Sequence, residues 1–212
     1  MVKRDSELQW HRVCFQVEYV INKPLWWVDL ILANEVVAPY LSIYTNRQIR
    51  LWRFHRRAAD DKEKHKFSFI YYTSNRDAEH IYDGIASDDT LKALKKATLV
   101  LNSSYTQTGL KQIYEISDKE WLPAVREAWP YFAEGFSKAW LEIIKDLMLN
   151  KYAEPFREDK KPSVRYLSKA YKGVSDEMSQ IWKKGSHPFL HHLSAIFAYE
   201  TIHVPHMIGM RF

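Results

Sequence analysis

Residues 49–73 read Ile49-Arg50-Leu51-Trp52-Arg53-Phe54-His55-Arg56-Arg57, a polar stretch from Ala58 to Lys64, then His65-Lys66-Phe67-Ser68-Phe69-Ile70-Tyr71-Tyr72-Thr73. Both runs alternate and are rich in aromatic side chains, and a short polar segment parts them. That is the pattern of two neighbouring antiparallel strands, and it predicts a hairpin at the centre of a sheet. The stretch also carries the densest basic charge of the chain. In a strand over 49–57 the period of two sends Arg50 and Arg56 to one face and Arg53, His55 and Arg57 to the other. The cations therefore divide between two surfaces.

Upstream, residues 11–21 put Val13, Phe15, Val17, Tyr19 and Ile21 on one face and Arg12, Cys14, Gln16, Glu18 and Val20 on the other, which predicts a half-buried first strand. Asn22-Lys23-Pro24 is a turn. After it Leu25, Val28, Leu32 and Val36 recur at helical spacing, predicting a helix to about Val37 that ends near Pro39. Downstream, Ser74 with Asp77 three positions later is a helix-start signal for a segment over 75–96. The fourth strand is expected either at Thr98 to Leu101 or at Leu110 to Ile116, and the second alternates better. The order β-α-β-β-α-β belongs to the α+β class and to the ferredoxin-like plan, in which helices cover one face of an antiparallel sheet and leave the other for a ligand, a partner or a second lobe.

From Ser117 the pattern turns helical. Ser117-Asp118-Lys119-Glu120 has the form of a capping box, and Trp121, Val125, Trp129, Phe132, Phe136, Trp140, Ile144 and Leu147 follow at core-forming spacing. Pro130 is expected to kink or divide that helix. A charged loop over 154–161 leads to a helix bearing Val164, Leu167, Tyr171, Val174, Met178 and Ile181. Gly185-Ser186-His187-Pro188 then punctuates it, starts another helix and gives way to an extended tail. The expected organisation is a ferredoxin-like portion at 1–117 packed with a C-terminal helical lobe at 118–212 as one compact unit.

Of the 212 residues 46% are hydrophobic and only six are glycine, which is ample for an ordered core and excludes a low-complexity chain. The formal charge of +5 admits an acidic partner, but acidic residues are scattered through the sequence, so charge placement matters more than the total. The single cysteine, Cys14, has no internal disulfide partner and lies in an alternating strand, as a buried thiol in a reducing compartment would. Residues 1–7 lack a secretory pattern, and no apolar run reaches the roughly 18 residues a membrane span needs. The expectation is a cytoplasmic protein with no membrane partner.

Three groups of residues bear on chemistry. The arginines and lysines around the hairpin supply planar and point-charge donors suited to carboxylate, phosphate or a nucleic-acid backbone. His187, His191 and His192, with His203 and His206 in the tail, have a spacing compatible with metal or haem ligation, without any His-Glu-x-x-His or paired-cysteine pattern. The tryptophans at helical spacing read first as core and second as the lining of an apolar pocket.

Trp10 before the first strand, Glu35-Val36-Val37-Ala38-Pro39 at a helix end, Trp52-Arg53-Phe54-His55-Arg56 and the strand opened by His65 together resemble the thiopeptide-type peptide-modification domains, among them the C-terminal elimination domain of lantibiotic dehydratases. The resemblance covers residues 10–73. The family carries arginines at alternate positions of the histidine-opened strand, where this chain has Phe67 and Phe69. The resemblance implies a lyase-like biosynthetic enzyme of natural-product formation, acting by proton transfer, elimination or cyclisation on a peptide, a small molecule or a tRNA-linked intermediate. No metal or cofactor is expected. It implies His55, His65 and Tyr71 as catalytic groups and Arg53, Arg56 and Trp52 as substrate-binding groups. Three other readings stand beside it: an RNA- or anion-binding module stacking bases on Phe67, Phe69 and Tyr71, a metal- or haem-binding protein through the C-terminal histidines, and a noncatalytic protein whose tryptophan-rich helices complete a complex with another subunit; a homodimer or a partner subunit is expected.

Overall fold

The computed structural model describes residues 7–20, 23–45, 48–58, 65–152, 162–185 and 187–196. The chain divides into two compact units, Met1–Ser175 and Asp176–Phe212. The expected boundary at 117/118 falls inside the first.

The first unit is built on a four-stranded, fully antiparallel sheet. Its strands are β1 (Leu8–Val17), β4 (Leu51–Ala58), β5 (His65–Ser74) and β6 (Val100–Gln107), in the spatial order β4-β5-β1-β6. The hairpin read from residues 49–73 is the pair β4 and β5, with Phe54 opposite Phe69 and Arg56 opposite Phe67. Two short strands, β2 (Tyr19–Val20) and β3 (Lys23–Pro24), pair separately.

One face of the sheet holds the main core. Val13, Phe15, Val17, Phe67, Phe69 and Tyr71 are all buried there. Helices cover this face: α1 (Trp26–Ile31), a π-helical segment (Leu32–Val37), α2 (Ala38–Tyr44), α3 (Asn75–Ser87) and α4 (Asp89–Lys96). Val28, Ile31, Leu32, Val36, Ile81, Ile85, Leu91 and Leu94 fill the layer between. The predicted cap of α3 is present, since the Asp77 N–H donates to Ser74 Oγ at 3.1 Å. Asp88 then caps α4 through the Leu91 N–H at 2.9 Å, so the predicted single helix over 75–96 is two.

Four local expectations are corrected. The helix does not stop near Pro39 but runs on to Tyr44, because the π segment shifts the hydrogen-bond register and Pro39 falls at the start of α2, where its missing N–H costs little. The fourth strand lies at 100–107. Residues 98 and 99 instead close α4: Thr98 has φ 57, its N–H bonds the Lys95 carbonyl, and the Leu99 N–H bonds the Leu94 carbonyl, a Schellman turn. Leu110 to Ile116, despite its alternation, is a strap ending in a 3₁₀ turn (Ile113–Ile116). Leu110, Ile113 and Ile116 are three apart, the period of a 3₁₀ helix, and that spacing packs all three on Trp10, Leu51, Ile70 and Tyr72. Finally, Pro130 does not divide its helix. Helix α5 (Pro123–Leu147) is continuous, and Ser117, rather than capping it, donates its hydroxyl to the Arg126 carbonyl at 2.8 Å. That carbonyl is the acceptor four residues before Pro130, the one a proline leaves without an N–H.

Helix α5 lies along the edge strand β4. The Phe54 N–H, which points away from the sheet, donates to Ser137 Oγ at 3.0 Å, and the Trp140 ring meets the Phe54 ring edge-on at 5.5 Å. The helix thus satisfies and shields an edge that would otherwise be open to pairing. A second π-helical segment (Met148–Tyr152) extends α5. Helix α6 (Val164–Gly185) contributes Leu167, Ala170, Tyr171 and Val174 to the core of the first unit. Asn34 of the π segment donates to the Tyr171 hydroxyl at 2.7 Å, and that hydroxyl also bonds Glu35. In the second unit, α6 continues to Gly185 and α7 (His187–Ile196) follows, with Trp182, Phe189 and Ile196 exposed. Residues 197–212, including His203 and His206, lie outside the described residues.

Candidate anion site on the open sheet face

The alternation of β4 separates the predicted site residues onto opposite sides of the sheet. Trp52, Arg56, His65 and Tyr71 belong to the helix-covered face. Arg53 and His55 belong to the other.

On the covered face, Asp29 of α1 is the organising group. It is fully buried, and it is the single charge in the apolar run Trp26 to Ala33. His65 Nε2 lies 2.8 and 3.0 Å from its two carboxylate oxygens, and Arg56 Nε donates to Oδ2 at 2.6 Å. His65 Nδ1 meets the Arg57 carbonyl at 2.9 Å, so both ring nitrogens are engaged with acceptors and neither is open to a ligand. Arg56 also donates to the Trp26 carbonyl at 3.1 Å, and its guanidinium lies 4.5 Å from the Trp26 ring centroid and 5.3 Å from that of Trp140. This mutually satisfied cluster, fully buried at Asp29 and His65 and partly exposed at Arg56, ties α1 to both strands of the hairpin, and removing His65 would leave the buried Asp29 carboxylate with one partner fewer. Tyr71 is buried too. Its hydroxyl donates to the Ala78 carbonyl at 3.2 Å, and burial, then the nearby Tyr105, pushes its pKa far above the usual tyrosine value. Trp52 is enclosed by Phe54 and Phe69. Phe67, Phe69 and Tyr71 are buried beneath the helices, so no base reaches them on this face.

The opposite face is half covered. The strap over 108–116 closes its upper part on Trp10, Leu51, Ile70 and Tyr72. Gly109 makes the necessary reversal with φ 74, a left-handed conformation that a side chain would strain. The strap then pairs back onto β1 through the Trp10 N–H to the Leu110 carbonyl at 2.9 Å, and is pinned by Trp10 Nε1 on the Ile113 carbonyl and the Tyr72 hydroxyl on the Lys111 carbonyl.

Below the strap the face is basic. Arg53 of β4 and Arg12 of β1 both stand opposite Ile70 of β5, one on each side, which places their backbones about 10 Å apart across two strand spacings. His55 stands in the next row, opposite Ser68, and Arg57 opposite Lys66 in the row after that. A cavity of about 460 Å³ opens here, floored by Arg12, Arg53, His55 and Ile70. Thr106, Gln107 and Thr108 form its polar side, and Leu110 and Ile116 of the strap form an apolar wall.

Among the described residues no carboxylate bonds Arg12 or Arg53, and the half-buried Arg53 has an Nε–H without an acceptor. An unmade bond at a buried charged donor is costly, about 1–3 kcal/mol or more, and an anionic ligand would remove that cost. Desolvation first, then the positive charges of Arg53, Arg12 and Arg57, hold the His55 imidazole below the usual histidine range, so it is neutral at pH 7. The arrangement is a cationic pair beside an unprotonated base.

Arg12 was legible only as a member of the polar face of β1; its convergence with Arg53 depends on β5 lying between β4 and β1. Asp29 had a plainer signal, a lone charge inside an apolar helix. Of the C-terminal histidines, His191 and His192 are exposed, and the described residues contain no group of three or more His, Cys, Asp or Glu placed to hold a metal ion. No described helix is long and apolar enough to cross a membrane. Against family models, curated proteins and solved structures, the chain has no match in any of the three comparisons.

Proposed function

We propose that the protein holds the carboxylate or phosphate of a small molecule or peptide intermediate between Arg12 and Arg53, with His55 as the group that accepts a proton from it. The observation that carries this is the pair of arginines flanking Ile70, without a carboxylate partner among the described residues, on the floor of a cavity. Two guanidinium groups bind an anion through charge-assisted bonds, and they also stabilise negative charge that develops when a proton leaves the bound molecule. A neutral histidine beside them is the matching base.

This is the proton-transfer form of the biosynthetic reading, and the resemblance of residues 10–73 to thiopeptide-type domains points the same way. The sheet order β4-β5-β1-β6 supports a ferredoxin-like plan, with the face left free by the helices as the working surface. In this reading His55 and Arg53 act on the ligand, while His65, Arg56, Tyr71 and Trp52 hold the hairpin in place. A cytoplasmic setting, with a free intermediate or one carried on tRNA, fits the lone Cys14 and the basic face.

Calorimetric titration with acetate and with inorganic phosphate tests the site. Saturable binding is expected to weaken at least tenfold in Arg53→Gln and in Arg12→Gln, the loss of a charge-assisted bond worth about 1.5–3 kcal/mol. Equal affinity in folded wild type and both variants would refute the assignment.

A further inference from the structure

From the cavity walls we infer that the ligand is a monocarboxylate bearing a short apolar chain, rather than a bare inorganic anion or a nucleic-acid backbone. The inference rests on the anion-site reading above and narrows it. The floor offers charge at Arg12 and Arg53, and the strap sets the partly buried Leu110 and Ile116 against the same space, over the buried Ile70. Burying apolar surface is favourable, and these side chains give a ligand's chain apolar surface to cover within the space that its head group enters. A phosphate or sulfate would leave that wall in contact with water. A nucleic-acid strand, which needs an uninterrupted basic track with stacking rings, meets the strap on one side; Phe67, Phe69 and Tyr71 of β5 are on the covered face, and Tyr72 is enclosed beneath the strap.

The wall is built rather than incidental. Thr108 accepts the Leu110 N–H on its hydroxyl at 3.2 Å and donates that hydroxyl to the Trp10 carbonyl at 2.6 Å, so the lip of the cavity is fixed to β1. The Gln112 N–H bonds Glu115 at 2.8 Å and closes the turn that presents Ile116. A cavity of about 460 Å³ accommodates a chain of several carbons beyond the carboxylate, or an amino acid with an aliphatic side chain.

Titration of the full chain with acetate, butyrate, hexanoate and inorganic phosphate, in parallel with Arg53→Gln, decides the matter. Affinity is expected to rise about threefold to fourfold for each methylene from acetate to hexanoate, and hexanoate binding is expected to fall at least tenfold in Arg53→Gln. Equal, Arg53-dependent affinity for acetate, hexanoate and phosphate would overturn the apolar-chain inference while leaving the anion site standing. Arg53-dependent binding of a short single-stranded RNA in preference to hexanoate would overturn it as well. Absence of any Arg53-dependent binding would overturn both.

Discussion

His11 of β1 is fully buried on the helix-covered face, stacked against the Tyr105 ring at 5.9 Å with its Nδ1 2.9 Å from the Tyr105 hydroxyl. Burial lowers its pKa to about 4, opposed only in part by a backbone bond at Thr73. In the unfolded chain the imidazole takes a proton near 6.5. The unfolded state therefore binds more protons between those values, and the native state loses stability as pH falls from 6.5 towards 4, by roughly 3 kcal/mol at most. His11→Phe should remove that part of the slope, at a cost of about 1 kcal/mol at pH 7 for the unpaired Tyr105 hydroxyl. Urea unfolding of both proteins at pH 7 and pH 4.5 measures it; an identical pH dependence would show that His11 is not the titrating group. Single residues of this kind are the least legible in a sequence. The alternation of β1 places His11 and Val13 on one side, but only the ring neighbours from β5 and β6 determine that His11 stays neutral, and those neighbours follow from strand order.

Elements were legible where one periodicity ruled and illegible where a tertiary bond replaced a local one. The hairpin, β1, the start of α3 and the helices of the second half follow directly from their spacing. The strap did not, because its residues satisfy both a period of two and a period of three, and the apolar cluster on Trp10 and Tyr72 selects the latter. Helix α5 is the clearest case. Its proline removes one backbone bond, and the serine that resembled a cap thirteen residues earlier supplies a substitute for it. Ser117 is buried, so Ser117→Ala should cost about 1–3 kcal/mol by leaving the Arg126 carbonyl without that bond. In a Pro130→Ala background the restored N–H takes that carbonyl, and the same Ser117→Ala change should cost less than half as much. A double-mutant cycle by thermal unfolding gives the coupling directly. Strictly additive effects would mean that the Ser117 bond does not compensate for the proline.

Among the described residues of the first unit the helices serve one face of the sheet and the strap serves part of the other, beside a basic, partly walled area. The alternation shows that the cations divide between faces; that Arg56 and His65 share a buried partner depends on α1 bringing Asp29 against both. Arg56 and Arg53 consequently have opposite roles three residues apart. The first is bonded to a buried carboxylate, and the second lines the cavity with no carboxylate partner among the described residues. A titration of the side-chain Nε–H resonances with hexanoate, followed by ¹⁵N NMR, reads both in one spectrum. The Arg53 and Arg12 signals are expected to shift saturably and together, while Arg56 stays fixed by Asp29. Shifts confined to Arg56, or no saturable shift at Arg53 and Arg12, would contradict an anion site on the open face.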